Sequence, residues 1–391
     1  MPRQQKLDPK KKEVIAVLAA EHMMPQADIA ELMNLSTTRV NKAVKEAMRD
    51  GLIVKRLEVT EKMPEESRLA ANNLRKITPL KEALRALEPL GQGKREPCLQ
   101  ELYVFDSGET SQDYDEPVRR FAHPTAAYLS RLLIKSEVKH IGISWGVALL
   151  SLVDVLRVTL SNHPRRADPV ICIPIAGSPP EVEEYNKMSS AHLAGALSQI
   201  LNGSAQAASA FSVGGWIPAE FSDPDHAVIR KFCFTSPSYE KAFRDGGAVH
   251  KLDCVLTSVG AVGVPKDFES PWLKAAVKAS QLSLSEFRAL TAGNISGCFL
   301  PVPGLDDRGR KVLESVNERW LGIQLEHLQK CAAAAVRKRS PGVVVLAIGE
   351  GKAEVVLEAI KHKLVNIVCC DMRLMKRLEE LCAPGPQSLE A

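Results

Sequence analysis

From about residue 98 onward, short runs rich in Val and Ile alternate with longer stretches whose apolar residues recur at helical spacing. The runs are Glu101–Phe105, His140–Ser144, Val170–Ile175, Leu252–Val259, Val343–Ile348 and Val365–Cys370. They carry little polar alternation, which is how parallel strands covered on both faces read. Helical patterns fall between them at Ala126–Leu133, Ala148–Leu160, Met188–Leu201 and Gly309–Lys338, and His123 before Pro124 reads as a helix start. Such alternation predicts a doubly wound, Rossmann-like α/β domain. No apolar run approaches the roughly 18 residues a membrane helix needs. The basic opening MPRQQKLDPKKK is not followed by the apolar segment of a secretory signal. Nine cysteines, none in a CxxC pair and most in apolar stretches, fit reduced thiols in a cytoplasmic core.

The first 60 residues read differently. Residues 10–22 form a helical pattern with Val14, Ile15, Val17 and Leu18 on one side. Pro25 interrupts, a short helix covers 26–33, and a turn follows at Asn34-Leu35-Ser36. Ser36 is placed to cap a third helix. There Val40, Ala43, Val44, Ala47 and Met48 form an apolar stripe opposite Thr37, Thr38, Arg39, Asn41, Lys42, Lys45 and Arg49. Asp50-Gly51 stops the helix, and Leu52–Val59 reads as a strand. A short helix, a tight turn and a helix with a polar face is the helix-turn-helix arrangement, with the strand as a wing. Gln26, Ser36, Thr37, Thr38, Arg39, Asn41 and Lys42 are the candidate DNA contacts. Asn41 pairs naturally with adenine and Arg39 with guanine, while Lys45 and Arg49 suit phosphates.

Charge supports the same division. Residues 1–56 hold 11 Lys and Arg against 7 Asp and Glu, whereas the remaining residues hold 40 of each, so the whole net charge of +4 sits in the first segment. An anionic partner is therefore expected there.

Glycines cluster where the strands end. Gly146 follows His140–Ser144, Gly177 follows the next run, Gly260 and Gly263 follow Leu252–Val259, and Gly349 and Gly351 follow Val343–Ile348. Ligands of open α/β sheets bind outside the carboxyl ends of strands, where glycine admits close backbone approach. Lys352 follows the last of these turns. Neither GxGxxG nor GxxxxGK[ST] is present, so a dinucleotide or P-loop site is not expected. His and Cys spacings predict no metal site. Trp145 and Trp216 read as core or pocket lining, Asp253 and Asp371 as structural caps, and the leucines of 69–87 as a linker helix or an oligomer contact.

At these residues the chain resembles the SorC family of sugar-responsive bacterial transcriptional regulators. The DNA-binding end is similar over QADIAELMNLSTTRVNKAVKEAMRDGLI at 26–53. The effector domain is similar over IGISWGVALL at 141–150, DCVLTSVGAVG at 253–263, TAGNISGCF at 291–299 and VVVLAIGEGKAEVVLEAIKHKLVNIVCCD at 343–371. The resemblance implies an effector-binding domain folded like certain sugar-phosphate isomerases and coenzyme A transferases. It also implies homotetramers that bind double-stranded operator DNA and respond to a small sugar or sugar-phosphate effector. Carried over by position, the pocket takes in Gly142, Ser144, Gly146, Ala148, Gly177, Gly260, Asn294, Gly349 and Lys352, with Lys352 as the cation for an anionic group.

Two departures bear on the ligand. The family follows its glycine-Trp-Gly turn with Arg-Thr where this chain has Val147 and Ala148, and it places an acid where this chain has Asn294. A lost hydroxyl and a lost carboxylate imply a ligand altered from an ordinary sugar phosphate. The expected organisation is a winged helix-turn-helix domain at 1–60, a helical linker at 61–97, an α/β effector domain at 98–382 and a tail at 383–391. The expected function is a cytoplasmic DNA-binding regulator, with no catalytic residues, cofactor, metal or membrane. An isomerase- or transferase-like enzyme is the alternative, for which the glycine turns offer only Glu350 as a base.

Overall fold

The computed structural model describes residues 7–20, 26–53, 77–89, 96–105, 115–134, 137–161, 168–176, 188–203, 215–221, 223–262 and 271–383. The expected strand over 54–59, the linker glycines, the acidic loop, Leu69, Leu74, Gly177, Gly263 and the tail beyond 383 lie outside them. The chain divides into two compact units, 1–82 and 83–391.

The first unit contains α1 (Pro9–Ala20), α2 (Gln26–Leu32) and α3 (Thr37–Arg49). Helix α1 departs from the expected one-sided stripe, because Val14 to Ala20 are buried without interruption. It is the central helix, and Ile15 and Leu18 pack with Ile29, Val40, Val44 and Ile53 in one cluster. The turn before α3 rests on Asn34, whose φ is +50°. Asn tolerates that left-handed conformation, and the Leu35 N–H then donates to Ala30 O at 2.8 Å. Ser36 caps α3 as expected: its Oγ accepts from the Arg39 N–H at 3.3 Å. Gly51, at φ +72°, ends the helix. Asp50 pairs with Lys12 of α1, which ties the two helices and holds the Asp50 carboxyl below its usual range.

A helix over residues 77–86, α4, leads into the second unit. Past its end, Glu88 is buried and accepts from the Cys98 and Leu99 N–H groups at 2.7 and 2.8 Å. Arg85 donates to Leu99 O and Gln100 O at 2.7 and 2.8 Å. The start of the first strand is thus bonded to the residues that follow α4.

Six parallel strands lie in the order β1-β8-β7-β4-β2-β3. They are β1 (Glu101–Phe105), β2 (His140–Ile143), β3 (Ile171–Pro174), β4 (Cys254–Gly260), β7 (Gly342–Ala347) and β8 (Ile367–Asp371). Every residue of β7 and β8 is buried, as strands covered on both sides must be. Val344 and Leu346 join a core with α5 (Asp115–Leu133), α6 (Val147–Thr159) and α7 (Ser190–Asn202). Val343 and Val345 alternate with them and face the opposite side. The second unit also contains α8 (Asp223–Phe234), α9 (Pro237–Phe243), α10 (Pro271–Ser280), α11 (Leu284–Leu290), α12 (Asp307–Glu318), α13 (Leu325–Lys338), α14 (Ala353–Lys361) and α15 (Met372–Cys382). None of the described helices is long and apolar enough to cross a membrane.

Two expectations change, and one segment gains a structure. Pro124 lies inside α5 rather than at its start. The pattern over Gly309–Lys338 is two helices, because Trp320 turns inward between them. Its ring fills a slot that any Cβ at Gly297 or Gly322 would enter at 2.3 and 2.6 Å, and its Nε1 donates to Ile323 O at 3.0 Å. The segment TAGNISGCF forms an antiparallel hairpin of β5 (Thr291–Ile295) and β6 (Cys298–Pro301), joined through Ser296 and Gly297 at φ +51° and +95°. Two positive φ values match the right-handed twist of a tight hairpin.

All nine cysteines are free thiols; seven are buried, and Cys233 and Cys382 are half-buried. Burial pushes the thiols of Cys172, Cys298 and Cys331 up to about 12.

Candidate functional site

In the first unit, the apolar stripe of α3 is buried at Val40, Ala43, Val44 and Ala47. Its opposite face stays open. Thr37, Thr38, Asn41, Lys42, Lys45, Glu46 and Arg49 share one surface recess. The side chains of Thr37, Thr38, Asn41, Lys42 and Lys45 have no hydrogen-bond or ion-pair partner among the described residues. The Arg49 Nε donates to Asp50 at 3.3 Å. Three expected contacts lie elsewhere: Arg39 is half-buried outside the recess, the Ser36 hydroxyl is spent on its cap, and Gln26 opens α2. Glu46 is the recess residue that sequence reasoning passed over. Its position one turn beyond Lys42 was the available signal.

In the second unit, the chain leaves β2 toward β3 on one side, while β4 and β7 continue on the other. A crevice opens at such a reversal, outside the carboxyl ends of the strands. Here β2 runs into Gly146, which precedes α6 with φ +133° and no side-chain cap. The first N–H groups of α6 are therefore unspent within the helix and favour a negative or oxygen-rich group. Gly260 ends β4 and pairs with Asn294 of β5. The contact is tight: a Cβ at Gly260 would stand 2.5 Å from Asn294 Nδ2, and one at Gly293 would stand 2.4 Å from Gly260 O. The Asn294 amide donates to Gly260 O at 3.4 Å.

Gly349 follows β7 at φ +90°, and its N–H donates to Asp371 Oδ1 at 3.0 Å. Asp371 is fully buried, caps α15 through the Leu374 N–H at 3.1 Å and accepts from Arg373 at 3.1 Å. Asp253 accepts from the Lys139 and His140 N–H groups at 3.0 and 3.2 Å. Both aspartates are structural. Lys352 stands at the start of α14, half-buried, with no partner for its ammonium among the described residues.

The structure thus brings Gly146, Gly260, Asn294, Gly349 and Lys352 to the carboxyl edge of neighbouring strands β2, β4 and β7. It places three other residues differently. Gly142 lies within β2, where a Cβ would meet Ile175 at 2.8 Å and Leu252 at 3.1 Å; it is glycine for packing. The Ala148 side chain belongs to the core cluster. Ser144 is buried, and its hydroxyl donates to Thr257 Oγ1 at 3.0 Å. Thr257 also bonds Ser296 at 2.7 Å and donates to Ser258 O at 3.0 Å. This chain of hydroxyls fastens β2, β4 and the hairpin turn together beneath the crevice. Two hydroxyl residues inside an otherwise apolar strand were its sequence signal. Trp145 and Trp216 pack against the cluster of Phe287, Phe299 and Trp320.

Comparison with known proteins agrees with both halves. Residues 98–378 match the family model described as "Putative sugar-binding domain", and residues 7–54 match one described as winged helix-turn-helix DNA-binding. No curated protein sequence matches the chain. Among solved structures, the full-length sorbitol operon regulator SorC from Klebsiella pneumoniae is 20% identical with a TM-score of 0.55, over 96% of this chain and 100% of that one. A DeoR family transcriptional regulator from Listeria monocytogenes is 17% identical with a TM-score of 0.55, over 78% and 99%. A transcriptional regulator from Streptococcus pneumoniae TIGR4 is 20% identical with a TM-score of 0.55, over 80% and 98%. With a DNA-binding helix-turn-helix ahead of a sugar-binding domain that fills well over half its length, the chain belongs to the SorC-type family of sugar-binding transcriptional regulators.

Proposed function

We propose that the protein is a cytoplasmic regulator whose α3 enters the major groove of operator DNA and whose strand-end crevice receives a small, anionic, carbohydrate-derived effector. The open polar face of α3 carries the first half of this reading. Five polar side chains, two of them cationic, are held on one side without internal partners, while the other side is locked into the core. That is a surface prepared for phosphates and base edges.

The second half rests on the unpaired Lys352 ammonium after the Gly349 turn of β7, at the same carboxyl edge of the sheet as Gly146 and the uncapped start of α6. An anionic group answers the ammonium, and hydroxyl-bearing carbons suit the backbone-lined remainder. The amide of Asn294 replaces the charge of an acid at the rim, so a ligand carrying its own negative charge meets no repulsion there. The site binds rather than catalyses. The buried Asp371 carboxylate is consumed by Gly349, Leu374 and Arg373, and Glu350 is exposed at the tip of a one-turn helix. Neither is held as a general base must be. Residues 1–60 serve DNA, 61–97 link, and 98–382 sense, with homotetramers presenting paired recognition helices to a symmetric operator.

Genomic-fragment capture with the purified protein at two salt concentrations tests this. A few enriched fragments, lost steeply as salt rises, are expected. A thermal-shift screen of sugar phosphates follows, in which Lys352→Ala loses the ligand-dependent shift yet retains the same fragments. No enrichment, with or without a metabolite extract, sinks the regulator reading.

A further inference from the structure

The recess on α3 contains one carboxylate, set among cations that leave it unpaired. Glu46 sits one helical turn beyond Lys42, next to Lys45 and one turn before Arg49, all lining the same recess. Lys42, four residues before it, and Arg49, three after, are at the spacing at which helical side chains pair. None does so, and the Glu46 side chain has no hydrogen-bond or ion-pair partner among the described residues. The neighbouring carboxylate behaves differently. Asp50 is bonded to both Lys12 and Arg49.

An unpaired acid on a face that meets DNA is repelled by every phosphate. It is tolerated only where it is held over base edges, between the two backbones. There a carboxylate, which only accepts hydrogen bonds, fits one exposed group well: the N4 amine of cytosine, a pure donor in the major groove. Guanine and thymine offer acceptors there, and adenine sets N7 beside its amine.

We propose that Glu46 reads a cytosine in the operator, a role that rests on the DNA-binding reading of α3. It lies nine residues beyond Thr37, which is about 13 Å along a helix rising 1.5 Å per residue. The cytosine therefore lies about three to four base pairs from the bases met by Thr37 and Thr38, and α3 lies along the groove rather than end-on. The acid also acts by exclusion, because it penalises any register that would bring the third turn of α3 against a phosphate.

The test is selection of binding sites by the full-length protein from a randomised double-stranded pool, repeated with Glu46→Gln and Glu46→Ala. The wild type should select a motif with an invariant C·G pair at one position of each half-site. Glu46→Gln should move that position toward A, because a Gln amide bonds adenine in two places. Glu46→Ala should leave it degenerate, with discrimination falling about 10- to 100-fold there and every other position unchanged. On non-cognate DNA, Glu46→Ala should bind at least as tightly as the wild type. Both variants should melt with the parent, since the Glu46 side chain has no partner among the described residues and its backbone bond to Asp50 is kept. A wild-type motif retained unaltered by both variants overturns the assignment to Glu46 while leaving DNA reading intact. A wild type that selects no motif overturns the reading of α3 itself, and this inference with it.

Discussion

At the scale of single residues, Asn366 holds the most together. It is fully buried just before β8, and its amide oxygen accepts from the Val343 N–H at 2.8 Å. Its amide nitrogen donates to Cys98 O and Ala332 O at 2.9 and 3.0 Å. One side chain thus satisfies backbone groups of β7, α13 and the approach to β1. Gly342 is glycine on its account, since a Cβ would stand 2.0 Å from Asn366 Oδ1. Leucine has the same branched skeleton of side-chain heavy atoms and none of these bonds. Asn366→Leu strands the Val343 N–H and the Cys98 carbonyl out of reach of water, at about 1–3 kcal/mol each. We expect a loss of about 3–5 kcal/mol in urea unfolding of the second unit, with the circular dichroism of the helix-turn-helix unit retained. An unchanged urea midpoint would refute this account of the node.

At the scale of elements, α3 depends on its cap. Ser36→Ala removes the acceptor for the Arg39 N–H and should destabilise the first unit by about 1 kcal/mol. Operator affinity should fall with it, while the melting of the second unit holds. A variant that melts and binds like the parent would show the 3.3 Å cap to be idle. The elements also show how far the amino-acid pattern carries. Strands β7 and β8 were legible as the unbroken apolar runs that buried parallel strands need, and β1, β2, β3 and β4 as shorter or interrupted runs of the same kind. The cap of α3 was legible because Ser and Gly bracket its stripe. The β5–β6 hairpin was not, since its strands are short and only the Ser296-Gly297 pair marks the turn. The break between α12 and α13 was hidden because Trp320 keeps the apolar periodicity while its slot is cut by distant Gly297. Ser144 and Gly142 looked like pocket residues because sequence shows that a strand end is polar or glycine, not which side of the strand the residue faces.

At the scale of the whole molecule, two compact units sit on one chain, and they should answer acid differently. Burial lowers the pKa of His140, outweighing the opposing pull of Asp253, and burial likewise lowers that of His327. Both imidazoles therefore hold a proton less readily in the fold than in the unfolded chain. The unfolded chain then binds more protons below the ordinary histidine range near 6.5, so stability falls as pH drops through it. The denaturation midpoint of the second unit should be lower at pH 5.5 than at pH 7.5, and His140→Gln should flatten that difference. Equal midpoints in the parent would exclude both histidines from the linkage. The first unit has neither residue and should lack this component.

The thiols give the chain its own unfolding clock. Seven are sealed in the interior and held protonated, whereas Cys233 on α8 and Cys382 at the end of α15 are partly open. A thiol reagent should therefore reach these two sites in the fold, Cys382 the slower because burial raises its thiol as well, and the other seven only as fast as the domain opens. The slow phase would time opening with no engineered probe. A dye pair on the fast sites would mark two places on the sensing domain, ready to report any motion an effector sets off.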